Sequence, residues 1–261
     1  MNPVIIIVGY AASGKTTLAQ RLANDLGFAF VDLGSIIRRA AIDYIKNENY
    51  QDEAETSRRL ADKNSIANYI NQLTLTPRIA DDGNLIVEVN GSRLDIENYQ
   101  LRQGFLDDKT LLLAKEIRPK LILFQQETAR LTPVVFSARN DIAFEKDEAI
   151  RIFIDPGISN RVRRRALFEG TAFFDLPKNR RRDLLNRVVG KEWESIDLGV
   201  ALHKESIVEM GFILFDNKRG IEKSLDELTI LTKNLLETKG WLSNNMEREG
   251  SDCLRRSSER I

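Results

Sequence analysis

The chain has 261 residues, 42% hydrophobic and 30% charged, enough apolar side chains for one sizeable core within one or two domains. Its 39 basic and 39 acidic residues cancel, which excludes a global field for nucleic acid or an anionic membrane, and no apolar stretch is long enough to span a bilayer. The single cysteine, Cys253, excludes an internal disulfide framework and predicts a cytoplasmic protein.

Pro3–Val8 is a short β-branched run of the kind that fills the middle of a parallel sheet. A glycine turn, Gly9–Gly14, leads into Lys15–Leu26, where Leu18, Leu22, Ala23 and Leu26 recur at helical spacing ahead of a terminating Gly27. Phe28–Val31 reads as a second strand ending at Asp32, and Ser35–Ile45 as a second helix. Strand, helix, strand, helix at the amino terminus predicts a three-layer α/β domain built on a central parallel sheet.

The middle of the chain changes character. Asn47–Ser57 reads as a polar loop and Leu60–Leu75 as a helix. The turn pairs Asp82-Gly83 and Asn90-Gly91 bracket Asn84–Val89, whose alternation predicts a strand in an antiparallel excursion inserted into the α/β domain. Glu97–Gln126 reads as a long amphipathic helix interrupted near Pro119. Val134–Phe136 and Ile150–Ile154 return as core strands, followed by basic helical segments at Ser159–Phe168 and Lys178–Val189. Phe212–Phe215 is the last predicted strand, Ser224–Glu237 the last helix, and residues 240–261 are a polar tail.

The sharpest signal is Gly9-Tyr-Ala-Ala-Ser-Gly-Lys-Thr16, which fits G-x-x-x-x-G-K-[ST] at every required position, between a predicted strand and a predicted helix. Glycines let the backbone turn so that successive N–H groups face an anion, and the helix that follows adds its positive end. Gly9, Tyr10, Ala11, Ala12, Ser13, Gly14, Lys15, Thr16 and Thr17 are thus expected to bind ATP, with Lys15 at the β- and γ-phosphates and the Thr16 hydroxyl on Mg²⁺. No N-K-x-D guanine signature follows, which favours a small-molecule kinase over a GTPase. Asp32 closes a strand at its carboxyl end, where α/β sheets place ligands, and is a candidate for the metal's surroundings; helix capping is its bland alternative. Arg38 lies one helical turn further on, placed to grip an acceptor phosphate, whereas Arg39 sits about 100° around the helix. Arg161, Arg163, Arg164 and Arg165, and then Arg180, Arg181 and Arg182, form two basic bursts. They read either as a lid of guanidinium groups over transferring phosphates or as solvated helix faces; the neighbouring acids and zero net charge weigh against nucleic acid.

Together with the P-loop, Phe30-Val-Asp-Leu-Gly-Ser-Ile-Ile-Arg38 resembles the cytidylate kinase family of nucleoside monophosphate kinases, whose second strand ends in D-S-G-x-x-Y-R. Asn84–Gly91 resembles that family's small acceptor-side excursion, Ser137-Ala-Arg-Asn-Asp141 its D-G-R-D segment, and Ile152–Asp155 followed by Arg161–Arg165 its fourth strand and the start of its lid. The resemblance covers residues 3–238 and implies a P-loop kinase domain over 1–239. Its core is 1–46, 120–157 and 205–239; an acceptor-binding insertion occupies about 47–119 and an arginine-rich helical lid about 158–204. It further implies Asp32, Gly34, Arg38, Arg139, Asn140 and Lys191 at the acceptor, and Lys15, Arg161, Arg164 and Arg165 as catalytic groups. Departures cluster at the acceptor: Leu33 and Ile37 replace serine and tyrosine, Ser137, Ala138 and Asn140 replace three of the four D-G-R-D residues, and Lys191–Leu198 keeps only part of R-D-x-x-D-x-x-R.

Three functions therefore stand side by side: ATP-dependent phosphorylation of a nucleoside monophosphate, by default CMP or dCMP; the same chemistry on a modified nucleotide or non-nucleotide acceptor; and a nucleotide-binding regulator without turnover. The partner is a small-molecule phosphate acceptor in the first two. Oligomeric state has no signature in the sequence.

Overall fold

In the structure, a computed structural model, residues 1–10, 12–47, 62–94, 116–138, 143–168, 170–182, 184–185, 204–218 and 221–241 are described. Five parallel strands form the central sheet: β1 (Val4–Gly9), β2 (Ala29–Asp32), β6 (Val134–Ser137), β7 (Ile150–Ile154) and β8 (Ile213–Phe215), in the order β2-β6-β1-β7-β8. The strand that begins the chain thus lies at the centre, flanked by β6 and β7. The run Val4–Val8 is apolar at every position because both faces of the sheet are covered.

Alternation along β1 sorts the core into two layers. Val4, Ile6 and Val8 face helices α2 (Leu33–Asn47), α3 (Lys63–Gln72) and α4 (Arg118–Leu131); Ile5 and Ile7 face α1 (Lys15–Leu26) and α7 (Ile221–Thr238). Two further helices, α5 (Ile158–Phe168) and α6 (Lys204–Glu209), follow β7 and precede β8 respectively. Phe136 on β6 is fully buried and stacks on Phe144 with ring centroids 6.2 Å apart. Phe136→Ala is expected to lower the unfolding free energy by about 3–5 kcal/mol, since the sheet cannot collapse into the vacated space. A urea titration showing a lower midpoint at unchanged slope would register it.

The excursion is a three-stranded antiparallel sheet, β3 (Leu75–Ile79), β4 (Leu85–Val89) and β5 (Ser92–Arg93), in that order. At its second turn Asn90 and Gly91 have φ of 51° and 71°, the left-handed pair that matches strand twist in a tight hairpin. Val87 and Val89 join the α2–α4 core layer, so the excursion shares the main hydrophobic core.

Several boundaries differ from expectation. The helix read over Leu60–Leu75 ends at Gln72, and Leu75 instead opens β3. Of the stretch expected as a helix broken near Pro119, residues 97–115 lie outside the described residues; Ile117 is a turn after helical Glu116, and α4 starts at Arg118 with Pro119 in its first turn, where a missing N–H goes unused anyway. Helix α2 starts at Leu33, directly after β2 and ahead of the expected Ser35. The expected loop at Asn47–Ser57 lies, apart from Asn47 at the end of α2, outside the described residues. So do residues 183 and 186–189 of the second basic segment and all but the first two residues of the tail.

Candidate functional site

The loop between β1 and α1 sits at the carboxyl end of the central strand. Gly9 is required by close approach: a Cβ there would stand 2.6 Å from the Ile154 carbonyl oxygen and 2.9 Å from Ser13 Oγ. Ala12 at φ 59° and Gly14 at φ 85° turn the backbone through left-handed conformations, and Ser13 N–H donates to the Tyr10 carbonyl at 3.2 Å. No side chain caps the amino end of α1, so the first N–H groups of the helix and the positive end of its dipole face the loop. Ser13 is fully buried, yet its Oγ has no hydrogen-bond partner among the described residues. A buried hydroxyl with nothing to bond is costly by itself and fits a loop that closes on a ligand. Lys15 and Thr16 occupy the first turn of α1, and Thr17 is exposed.

One strand over, Thr16 Oγ1 lies 3.2 Å from Ser137 Oγ at the end of β6. Ser137 pairs in register with Asp32 at the end of β2, so Thr16, Ser137 and Asp32 line up across adjacent strand ends. The Asp32 carboxylate is buried and accepts from Ser35 Oγ at 2.7 Å and from Arg38 Nη2 at 2.9 Å; Arg38 also donates to Ser35 Oγ at 2.8 Å. Asp32 therefore anchors Arg38, while α2 begins at the next residue. Gly34 leaves the room, since a Cβ there would be 3.2 Å from Arg38 Nη1. Arg39 turns away to a two-oxygen pairing with Asp43 at 2.8 Å, as helical geometry predicts.

Among the described residues no group of three or more His, Cys, Asp or Glu side chains assembles. Magnesium in phosphate sites needs no such cage, because water and substrate oxygens complete an octahedron begun by one or two protein oxygens. Thr16 and Ser137, with the Asp32 carboxylate on the neighbouring strand, supply that kind of donor set, and the glycine-lined loop fits a polyphosphate.

The opposite wall is made by α5 and the loop after β8. The Arg161 guanidinium lies over the Tyr10 ring at 4.6 Å, and that ring packs edge-on against Phe153 at 5.1 Å. Burial lowers the Arg161 pKa from its ordinary value, opposed by Asp155 and Tyr10; burial, with Asp155 adding, raises that of the Tyr10 phenol. One turn along, Arg164 donates through Nη1 to the Ser13 carbonyl at 2.7 Å and through Nη2 to the Asn217 carbonyl at 2.6 Å. Its pKa too is lowered by burial. Asn217 Nδ2 donates to the same Ser13 carbonyl at 2.8 Å.

The structure thus gathers Gly9, Tyr10, Ala12, Ser13, Gly14, Lys15, Thr16, Asp32, Gly34, Arg38, Arg161 and Arg164 around one end of the sheet. Arg165 is half-buried on the same helix, Arg163 stacks on Phe174 at 5.1 Å, and Arg180 and Arg182 are exposed. Ala11, Arg139, Asn140 and Lys191 lie outside the described residues, as do His203 and Cys253. Sequence reasoning missed Ser35, the Tyr10 ring as a seat for Arg161, and Asn217.

A family profile described as cytidylate kinase matches residues 5–179. A cytidylate kinase of Lactobacillus johnsonii is 27% identical over 166 residues, covering 62% of this chain and 66% of its own length. One of Streptococcus pneumoniae is 29% identical over 164 residues, covering 62% of this chain and 68% of its own. The chain thus spans about two thirds of these relatives. A solved structure, that of TT1252 from Thermus thermophilus, aligns over 91% of this chain and 98% of its own at 20% identity, with a TM-score of 0.43.

Proposed function

The chain belongs to the cytidylate kinase family, and from that premise we propose that it transfers the γ-phosphate of ATP to a nucleoside monophosphate, with CMP or dCMP as the acceptor. The observation that carries this reading is the loop Gly9–Gly14, closed by left-handed backbone on an unpartnered Ser13 hydroxyl and set across from the anchored Arg38 at the same sheet end.

Phosphoryl transfer asks the protein for positioning and charge neutralisation more than for covalent help. Backbone N–H groups of the loop and the amino end of α1 hold the donor phosphates, and the Lys15 ammonium offsets their charge. Thr16 Oγ1 and Ser137 Oγ, with Asp32 behind them, would hold Mg²⁺, which when bound screens the repulsion between phosphate oxygens and an incoming nucleophile. Arg38, held by Asp32 and Ser35, presents its remaining N–H groups to the acceptor phosphate, and Arg139, Asn140 and Lys191 complete the acceptor side. Arg161 and Arg165 bring positive charge from the lid helix. The domain plan assigns the core to catalysis, the insertion over about 47–119, which holds β3–β5, to acceptor binding, and the segment over about 158–204, which begins with α5, to the lid.

The test is ADP release by purified protein with ATP and Mg²⁺ across nucleoside monophosphates and small alcohols. CMP- or dCMP-dependent turnover is the expected result. Turnover only with another acceptor would keep the chemistry and replace the substrate, the reading favoured by Leu33, Ile37 and Ser137 standing where the family carries serine, tyrosine and aspartate. ATP binding without any acceptor-dependent ADP release would overturn the kinase reading.

A further inference from the structure

The Ser13–Gly14 peptide is held from outside the loop. Its carbonyl oxygen accepts two hydrogen bonds, from Asn217 Nδ2 at 2.8 Å and from Arg164 Nη1 at 2.7 Å. The donors come from two different elements: the loop after β8 and helix α5. A carbonyl can only accept, so the nitrogen of the Asn217 amide must be the atom that faces it. Arg164 closes the arrangement through its second nitrogen, which binds the main-chain carbonyl of Asn217 at 2.6 Å. Asn217 is 1% exposed, and a Cβ on Gly14 would stand 2.8 Å from Asn217 Nδ2 and 3.3 Å from Arg164 Nη1. The two donors therefore press directly on the back of this peptide.

In a trans peptide the C=O and N–H vectors point in opposite directions within one plane. Fixing the Ser13 oxygen outward, toward Asn217 and Arg164, fixes the Gly14 N–H inward, toward the cradle. Gly14 N–H makes no backbone hydrogen bond among the described residues. Glycine at φ 85° has little intrinsic preference for one orientation of this plane over its flipped alternative. Local sequence thus leaves the direction of this amide open, and the two outside donors settle it.

We propose that Asn217 is a positioning residue for the donor phosphates, acting with Arg164 to lock the Ser13–Gly14 peptide so that the Gly14 N–H is presented to the anion. This rests on the loop being a phosphate site, as in the function proposed above. It gives Arg164 a different task from that of a lid arginine reaching the transferring group. It also explains a buried polar atom: Asn217 Oδ1 has no hydrogen-bond partner among the described residues, a cost accepted to keep the amide nitrogen where the carbonyl needs it.

The decisive variant is Asn217→Leu, which keeps the shape, removes the donor and removes the orphaned oxygen. A merely structural asparagine would show itself in the melting temperature. A positioning one leaves the melting temperature near wild type while ATP affinity, measured by calorimetry without acceptor, falls about tenfold to a hundredfold, the value of one hydrogen bond to a charged group. Arg164→Met is expected to weaken ATP binding in the same assay, where a group acting only in transfer would lower kcat and leave affinity intact. Unchanged ATP affinity in folded Asn217→Leu overturns the proposal. Should that variant fail to fold, the wild-type Gly14 amide resonance still decides: a downfield shift on adding ATP supports the proposal, and no response refutes it. Wild-type protein that binds ATP but phosphorylates no acceptor defeats the kinase reading and leaves these binding results standing. Wild-type protein that binds no ATP defeats both.

Discussion

Lys15→Ala is expected to lower acceptor-dependent ADP release about a thousandfold while shifting the melting temperature by no more than about 3 °C. The two effects separate because of where Lys15 stands. It opens α1, whose buried positions are Leu18, Ala19, Leu22 and Ala23, so the apolar face that docks the helix against β1 and α7 does not include it. Its half-buried stem adds little to that packing. Its ammonium, in contrast, is the cation proposed to meet the donor phosphates, where transferring charge must be offset without rearrangement. Lys15→Arg is expected to lose most of the activity as well, because a planar fork does not replace a compact point charge. Acceptor-dependent ADP release undiminished in a folded Lys15→Ala protein would remove the loop from the reaction.

How far the sequence alone reaches can be seen element by element. Val4–Val8 and the helix over Lys15–Leu26 are legible because their signals are local: an unbroken β-branched run, then apolar spacing bracketed by Gly14 and Gly27, both left-handed in the structure. Strand β3 was hidden by Pro77, a residue that argues against a strand; it is tolerated because β3 lies at the edge of its sheet, where one ladder is absent. Helix α6 has only six residues, too few for a period to emerge. In the site, the Gly9–Thr16 loop is a contiguous motif and Asp32 and Arg38 stand six positions apart, so these residues could be singled out locally, whereas their pairing with each other was not read. Asn217 meets Ser13 across 204 positions and Arg164 meets it across 151, and no local pattern marks contacts of that kind. Tyr10 lies inside the contiguous motif, and only the chain's return through α5 gives its ring Arg161 as a partner.

The second large effect is expected at Arg38. Its side chain is 12% exposed and that of its partner Asp32 is 7% exposed, so neither charge is well hydrated. Arg38→Met removes the cation and leaves the Asp32 carboxylate buried with Ser35 Oγ as its remaining donor in this network, which should cost about 3 kcal/mol of stability, the low end for a broken buried pair. The same change removes the guanidinium proposed to hold the acceptor phosphate, so acceptor-dependent turnover should fall about a hundredfold or more, with ATP affinity retained. The two losses are separable. In Asp32→Asn/Arg38→Met the buried charge is gone along with its partner, and most of the lost stability should return. Activity should not return, because no cation then faces the acceptor and the carboxylate proposed behind the Mg²⁺ ligands has lost its charge. A purely structural arginine predicts instead that the folded fraction of Arg38→Met keeps the wild-type acceptor KM. Measuring urea midpoints and acceptor KM on the three proteins therefore decides whether Asp32 holds Arg38 for the sake of the fold or for the sake of the acceptor. Recovery of both properties together would end the acceptor role.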